Sequence, residues 1–276
     1  MDKLKIILSP GHGPKENPYP HQDTTEGKQT YFLAKAIEKE LKTLPGVEII
    51  NLRPNISDNP SYVTRGQLKK GDIYFAIHTD AHSDPKASGV TIFDSIISPS
   101  QVLGDGLGRA IAKAMGIRYR GFVYRDYSDN WSWDYTYKRL QRKDYFAELR
   151  NNHTKHRFLI EHGFHTNKSD SKKITDPDVK IRIARAYKAI IAQYFKITPK
   201  GQKIFSVQAG AFKSKANADV KSKALKELGF DSYIYKEDNL YKVQIAACLK
   251  LDEAQKIARI AKAKGVKTYI REKSRG

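Results

Sequence analysis

The sequence of 276 residues contains a single cysteine, Cys248, and this scarcity excludes an intrachain disulfide framework. No apolar run approaches the roughly 18 residues that a membrane-spanning helix needs, so the sequence predicts no membrane span. Residues 201–276 contain no histidine, so Cys248 has no nearby partner in sequence for a Cys-His nucleophile. A fold built without disulfides, as is usual in a reducing cytoplasm, is therefore expected.

Acidic residues are scarce beside basic ones. The chain has 30 Asp and Glu residues against 50 Lys and Arg residues, which gives a formal net charge of +20. Residues 201–276 hold 17 basic and eight acidic residues, so positive charge is densest there. Such an excess predicts an anionic partner, such as nucleic acid, a membrane surface or an acidic cell-wall polymer.

The first residues lack the core of a signal peptide. Their apolar stretch, Ile6–Leu8, is shorter than the roughly 7–15 residues that such a core needs. We therefore expect synthesis in the cytoplasm, and a protein that acts outside the cell would need another exit route.

An internal repeat with an offset of 36 residues marks the end of the chain. Val-Gln-Ala-Gly-Ala at 207–211 aligns with Val-Gln-Ile-Ala-Ala at 243–247, and Gly229 aligns with Gly265. Each half is predicted to form a strand, a helix and a strand, and the two glycines stand where helix C-caps belong. Two such halves predict a small α+β, ferredoxin-like βαββαβ domain with both helices on one sheet face.

The first 196 residues alternate mostly apolar strands with amphipathic helices. Predicted strands cover residues 5–8, 47–52, 73–78, 89–93 and 157–161, and predicted helices cover residues 29–43, 101–115 and 179–195. This order is typical of an α/β domain with a mostly parallel sheet flanked by helices. Pro199 and Gly201 indicate a linker at 197–202, which would separate domains 1–196 and 203–276.

Histidine and glutamate residues stand near the predicted carboxyl ends of these strands. His12 follows the first strand, and His78 ends the third. Glu26 precedes the first helix, and Glu161 ends the last strand. Carboxyl ends of parallel strands meet at one edge, where two histidines and a carboxylate can bind zinc and a further carboxylate can act as base. Each residue alone also has a structural explanation, such as a helix-start charge for Glu26 or a salt bridge for Glu161.

Four blocks of sequence occur in the order of a known enzyme family. They are Ser-Pro-Gly-His-Gly at 9–13, Glu-Gly at 26–27, Ala-Ile-His at 76–78 and Leu-Ile-Glu-His-Gly-Phe at 159–164. Residues 4–195 thereby resemble the zinc-dependent N-acetylmuramoyl-L-alanine amidases. The resemblance implies one zinc ion on His12, Glu26 and His78, with Glu161 as the catalytic base. The implied substrate is the amide between N-acetylmuramic acid and L-alanine in peptidoglycan.

The family pattern is not followed everywhere. Ser9 and Pro14 stand where the family usually has Asp and Gly, and Thr79-Asp80 stands where it often has Ala-Asn. These departures leave the implied ligands intact and affect the residues beside them.

Other residues are candidates for ligand or substrate contacts. His21, in the proline-rich loop after the first strand, is an alternative ligand, and His165 is a candidate contact to the transition state. Trp131 and Trp133 would share one face of an extended segment, where they could stack on sugar or contact the stem peptide. Packing within the long loop 119–146 is the alternative explanation for both tryptophans.

The C-terminal repeat resembles the SPOR peptidoglycan-binding domain. The resemblance lies in Val-Gln-Ala-Gly-Ala-Phe at 207–212 and Tyr-Lys-Val-Gln-Ile at 241–245, and the second half is the more divergent. It implies binding of glycan strands stripped of peptide. Gln208 and Gln244, at matching repeat positions, are the candidate contacts, although both would equally suit the solvated face of a strand.

Together these features predict a two-domain peptidoglycan hydrolase with one Zn²⁺ ion and with peptidoglycan as its partner. It resembles a phage endolysin that is released by a holin, which is the interpretation we favour, or an autolysin that acts after lysis of the mother cell. A nucleic-acid-binding protein that uses the basic C-terminal domain is one alternative, but the usual RNA-binding motif of such a sheet is absent and no nucleic acid is expected. A zinc carboxypeptidase acting on stem peptides is the other. The sequence does not determine the oligomeric state.

Overall fold

A computed structural model describes residues 3–67, 70–133, 140, 142–198 and 203–274. The chain divides into two compact units, Met1–Ile197 and Thr198–Gly276. Residues 199–202 of the predicted linker lie outside the described residues, so the linker stays a prediction.

The helices and strands of both units follow in chain order. They are β1 (Leu4–Pro10), α1 (Glu26–Leu41), β2 (Val47–Asn51), α2 (Tyr62–Gln67), β3 (Ile73–Asp80), β4 (Val90–Asp94), α3 (Gln101–Met115), β5 (Tyr119–Arg125), β6 (Trp131–Trp133), α4 (Ala147–Arg150), β7 (His156–Phe164), α5 (Lys168–Thr175), α6 (Pro177–Tyr194), β8 (Lys203–Phe212), α7 (Lys215–Glu227), β9 (Tyr233–Glu237), β10 (Leu240–Cys248), α8 (Leu251–Ala263) and β11 (Tyr269–Ser274).

Among the described residues of the first unit, seven strands form one sheet in the order β2-β1-β3-β7-β4-β5-β6. The β1–β2, β1–β3, β3–β7 and β4–β5 pairs are parallel, whereas β4 runs antiparallel to β7 and β6 antiparallel to β5. The predicted α/β class with a mostly parallel sheet is confirmed. The parallel β1, β3 and β7 end at one edge, and that edge carries the candidate site.

The two faces of this sheet are covered differently. On one face the apolar sides of α1, α3 and α6 pack against alternate strand residues such as Ile6, Phe75 and Ile160. On the other face a smaller cluster joins Tyr74 and Ala76 to Leu149 of α4. Strand residues are thus buried on both faces, which explains why their sequences are almost continuously apolar.

Strands β5 and β6 lie within the segment 119–146, which the sequence predicts to be a long loop. Phe122, Val123 and Tyr124 of β5 are fully buried, so this part of the segment belongs to the core. Residues 134–139 and 141 of the segment lie outside the described residues.

The second unit is a four-stranded antiparallel sheet in the order β11-β8-β10-β9, as far as its described residues extend. Ala218 of α7 and Ala254 of α8 are fully buried in the clusters that contain Val243 and Val207, so both helices cover one sheet face. The predicted small α+β domain is confirmed. Across the described parts of both units, no helix combines the length and apolarity that crossing a membrane requires.

Candidate metal and catalytic site

The loop after β1 holds His12 in an unusual backbone conformation. Its φ of 60° lies in the left-handed region, which is uncommon for a residue other than glycine and often marks functional sites. Gly11 lies against the ring of His78, and a Cβ on Gly11 would overlap that ring. Buried Arg53 donates to the carbonyl oxygens of Gly11 and Gly27 at 3.2 and 3.0 Å, which fixes the loop against the start of α1.

Glu26 is the first residue of α1, and its carboxylate lies between two imidazoles. Oε2 of Glu26 is 3.2 Å from Nε2 of His12, and Oε1 is 3.3 Å from Nδ1 of His78. The Thr79 amide donates to Oε1 and the Asn17 side chain donates to Oε2, both at 2.8 Å. The structure therefore brings the three predicted ligands together, with one ligand atom of each within 4.8 Å of the others.

The protonation state of each group in this cluster depends on burial and on its charged neighbours. Burial favours a neutral Glu26, but His78 and His12 outweigh it and lower the pKa of Glu26 to about 2. Burial favours a neutral His78, but Glu148 and Glu26 outweigh it and raise the pKa of His78 to about 10. Burial lowers the pKa of His12. A carboxylate flanked by two histidines, each turning one ring nitrogen toward it, fits a tetrahedral zinc site with one open position.

Glu161 stands beside this cluster on β7, in register with His78 on β3. Its Oε2 atom is buried and has no hydrogen-bond partner among the residues that the structure describes. Burial raises the pKa of Glu161 well above its usual range, with further increases from Asp80 and Glu26 and an opposing effect of His78. Buried polar atoms are almost always satisfied, so an unpartnered carboxylate oxygen here suits a group that exchanges protons with a ligand.

A cavity of about 440 Å³ opens at this edge of the sheet. It is lined by His12, Tyr62, His78, Tyr145, Phe146, Ala147, Glu148, Arg150, Leu159 and Glu161. Two candidate ligands and the candidate base thus face one space. A larger groove of about 720 Å³ lies between α8 and β11 in the second unit, but no predicted site residue lines it.

The other two candidate histidines are placed away from this space. His21 is not part of the cluster, and its Nε2 lies 3.2 Å from the carbonyl oxygen of Thr166. His165 is 5% exposed, stacks on Tyr19 at 4.9 Å, and holds Nδ1 3.0 Å from Oγ1 of Thr79. It does not line the cavity, and its predicted contact to the transition state stays a prediction.

An aromatic surface extends outward from the cavity. Trp131 and Trp133 are 45% and 44% exposed, and their rings stack at 6.4 Å. The Arg125 guanidinium lies 4.3 Å from the Trp131 ring and 3.5 Å from the ring of Tyr145, which lines the cavity. The predicted shared face of the two tryptophans is present, while their role in binding stays a prediction.

Sequence reasoning missed two residues of the site. The Tyr62 hydroxyl lies 2.6 Å from Nδ1 of His12, and nothing in the local sequence signals this contact. Glu148 of α4 is 2% exposed and contacts His78, with 3.5 Å between Oε1 and Nε2. The available signal for Glu148 was its position next to Leu149, which is buried, shortly before β7, the strand of this sheet that comes last in the chain. Ser9, which departs from the family pattern, donates to this glutamate at 2.6 Å.

On the second unit, four polar and aromatic side chains form a row across the sheet. Gln208 pairs with Gln244 and Tyr269, and Gln244 pairs with Tyr233, so the row crosses all four strands in register. It lies on the face opposite to the helices, because Val207 beside Gln208 is buried under α8. Tyr233 and Tyr269 at its ends are 66% and 68% exposed.

Comparison with known proteins decides the family. The sequence profile described as N-acetylmuramoyl-L-alanine amidase (Amidase_3) matches residues 6–193. The chain belongs to this family. It is therefore a peptidoglycan hydrolase that acts on the cell wall, as predicted, and neither alternative class is supported. The SPOR domain profile matches residues 201–272, which confirms a C-terminal peptidoglycan-binding domain.

Individual relatives agree with this assignment. The chain is 25% identical over 241 residues, 86% of each chain, to N-acetylmuramoyl-L-alanine amidase CwlM of Bacillus licheniformis. Its fold is similar to that of an N-acetylmuramoyl-L-alanine amidase from Clostridium difficile 630, with a TM-score of 0.59, 18% identity and coverage of 71% of this chain and 98% of the other. It is also similar to the catalytic domain of CwlV from Bacillus (Paenibacillus) polymyxa, with a TM-score of 0.58, 18% identity and coverage of 72% and 100%.

Proposed function

We propose that this chain hydrolyses the amide bond between N-acetylmuramic acid and L-alanine, with one zinc ion held by His12, Glu26 and His78. The proposal rests above all on the cluster itself, whose ligand atoms lie within 4.8 Å of one another, beside a Glu161 whose buried Oε2 has no hydrogen-bond partner in the described part of the chain. A donor set of two histidines and one glutamate matches known catalytic zinc sites that keep one position open.

Glu161 is proposed as the general base and acid. A zinc ion at this site would polarise the amide carbonyl and make water a stronger nucleophile at neutral pH. Glu161 would accept a proton from the attacking water at its buried Oε2 while the water oxygen bonds to the lactyl carbonyl carbon. The same carboxyl would then deliver the proton to the nitrogen of L-alanine as the carbon–nitrogen bond breaks.

The aromatic surface beside the cavity is proposed to bind the substrate around the scissile bond. Trp131 and Trp133 present two stacked, half-exposed rings. Arg125, held between Trp131 and Tyr145, adds positive charge that suits the carboxylates of stem peptides. Aromatic side chains of this kind supply large contact areas at a low cost in conformational entropy.

The row on the second unit is proposed to bind glycan strands freed of peptide. Gln208 and Gln244 would donate and accept hydrogen bonds in the middle of the open face, and Tyr233 and Tyr269 would contact sugar rings at its ends. The charge of the segment, 17 basic against eight acidic residues, would add attraction to anionic wall polymers. Glycan strands without peptides are the product of the proposed reaction, so this binding would hold the enzyme where it has already acted.

The most specific part of the proposal is that the chain acts as an endolysin in host cell lysis. The strong positive charge suits an enzyme that must reach an anionic wall after release. Co-expression with a holin in a bacterial host tests this part, because lysis should require both proteins. Lysis by the chain alone would contradict release through a holin.

The reaction is tested with purified full-length protein on peptidoglycan, with and without zinc. We expect new free amino groups on L-alanine and glycan strands without peptides, both abolished by a chelator and restored by zinc. Release of terminal D-alanine with the peptides still attached to the glycan would contradict an amidase and indicate a carboxypeptidase.

A further inference from the structure

Glu148 is a buried acid to which the proposed reaction assigns no part. Its side chain is enclosed by Ser9, Tyr74 and His78. Oε2 accepts hydrogen bonds from the Ser9 hydroxyl at 2.6 Å and from the Tyr74 hydroxyl at 2.5 Å. These two donors leave Oε1 for His78, whose Nε2 lies 3.5 Å away. Burying a carboxylate destabilises the folded protein unless other groups compensate its charge. The three partners of Glu148 therefore indicate that it has a specific role at the site.

The two histidines of the cluster present opposite ring nitrogens to Glu26. His78 turns Nδ1 toward Glu26 and Nε2 toward Glu148. His12 turns Nε2 toward Glu26, and its Nδ1 faces the Tyr62 hydroxyl at 2.6 Å. A neutral imidazole can bind a metal only through the nitrogen that carries no proton, and the partner of its other nitrogen decides which tautomer is present.

We propose that Glu148 is the positioning residue of His78. Its Oε1 accepts a hydrogen bond from the Nε2–H group of His78, which keeps the proton on Nε2, fixes the ring orientation, and leaves the lone pair of Nδ1 directed toward His12 and Glu26. This inference rests on the metal site proposed above and goes further by assigning the ligand atom of His78 and the group that selects it.

The residues around His78 restrict its imidazole ring to the observed orientation. Gly11 packs so closely against the ring that even a Cβ would overlap it, which restricts rotation of the imidazole. Glu148 itself is held by hydroxyl groups from β1, which leads into the loop that holds His12, and from β3, which carries His78. The Glu148 carboxylate therefore ties the orientation of His78 to β1 and β3, the two strands that position His12 and His78.

The first test compares zinc affinity in full-length variants by competition with a chromophoric chelator. Glu148→Gln keeps the shape of the side chain and removes its charge, and we expect zinc binding to weaken by about 10–100-fold. Asp94→Asn is the matched control, because Asp94 is another buried acid whose Oδ2 accepts from the Ser100 amide instead of facing a histidine. Equal affinity in Glu148→Gln and wild type, or an equal loss in Asp94→Asn, would overturn the proposal.

A second measurement needs no substitution. In the zinc-loaded wild-type chain, ¹⁵N chemical shifts and ring couplings of His78 should show zinc on Nδ1 and a proton on Nε2. The reverse assignment would overturn the proposal even if Glu148→Gln failed to fold.

Failure of the metal site itself would be recognised separately. If His78→Ala weakens zinc binding and Glu148→Gln does not, only the role of Glu148 is wrong. If neither His12→Ala nor His78→Ala weakens zinc binding, the proposed site is wrong and the inference falls with it.

Discussion

The two domains hold their candidate functional side chains in opposite environments. In the amidase domain, Glu26 and His78 are 1% and 7% exposed, and each is contacted by several fixed partners. In the SPOR domain, Tyr233 and Tyr269 are about two-thirds exposed on an open sheet face. Groups in a buried network depend on one another, whereas residues on an open face act nearly independently. A single substitution should therefore abolish hydrolysis in the amidase domain, whereas each substitution in the SPOR domain should remove only part of the glycan binding.

The largest effect is expected at Glu161. Glu161→Gln should lower turnover by about 10²–10⁴-fold, because it removes the proton acceptor and leaves the ligands in place. Zinc content measured by atomic absorption should stay at one ion per chain, whereas His12→Ala should lose the metal. Loss of zinc from Glu161→Gln would mean that this residue is a ligand instead of the base.

A second difference between the domains is their response to acid. Burial lowers the pKa of His162 to about 4, whereas an exposed histidine in the unfolded chain titrates near 6.5. Between these values the unfolded state binds more protons, so the free energy of unfolding should fall as pH decreases from about 6.5 to about 4. At about 1.4 kcal/mol per pKa unit, the loss is about 3 kcal/mol.

Tryptophan fluorescence during urea unfolding measures this loss selectively, because both tryptophans lie in the amidase domain. His162→Gln should flatten the dependence of unfolding free energy on pH. An unchanged slope in this variant would assign the acid sensitivity to other groups. Residues 201–276 contain no histidine, so their unfolding should show no histidine contribution in the same pH range.

A smaller and graded effect is expected on the SPOR domain. Replacing both Gln208 and Gln244 by alanine should weaken binding to glycan strands by about tenfold, since each hydrogen bond contributes about 0.5–1.5 kcal/mol. Each single variant should show part of this loss in a sedimentation assay, while hydrolysis of a soluble muropeptide stays unchanged. Loss of all binding in one single variant would contradict the independence of these positions.

The smallest effect is expected at the aromatic surface. Trp131→Ala should raise KM for muropeptide by about three- to tenfold, as for an ordinary contact worth about 1 kcal/mol. It should leave kcat nearly unchanged, because Trp131 lies outside the cavity that Glu161 lines. A large fall in kcat would instead connect Trp131 to the reacting atoms.

Much of the fold was predictable because its signals are local. The apolar run of β3 and the amphipathic pattern of α3 were both located from the sequence. The 36-residue repeat gave the second sheet, with its helices on one face. Strand β5 was missed because its buried residues follow Gly121 in a segment rich in aromatic and charged residues, without a clear periodicity.

The site was predictable only in part, for a physical reason. The ligands and Glu161 stand at strand ends, where topology alone brings them together. Glu148 acts through contacts with Ser9 and Tyr74, which are 139 and 74 residues away along the chain. Side chains that support a site in this way leave no spacing pattern in a single sequence.

The proposed reaction is tested most directly by following water oxygen. When the zinc-loaded chain digests peptidoglycan in H₂¹⁸O, mass spectrometry should find one ¹⁸O atom in the lactyl carboxylate of muramic acid. The released peptides should begin with an unlabelled L-alanine that bears a free amino group. Label in a peptide carboxylate, with muramic acid still linked to L-alanine, would contradict the account.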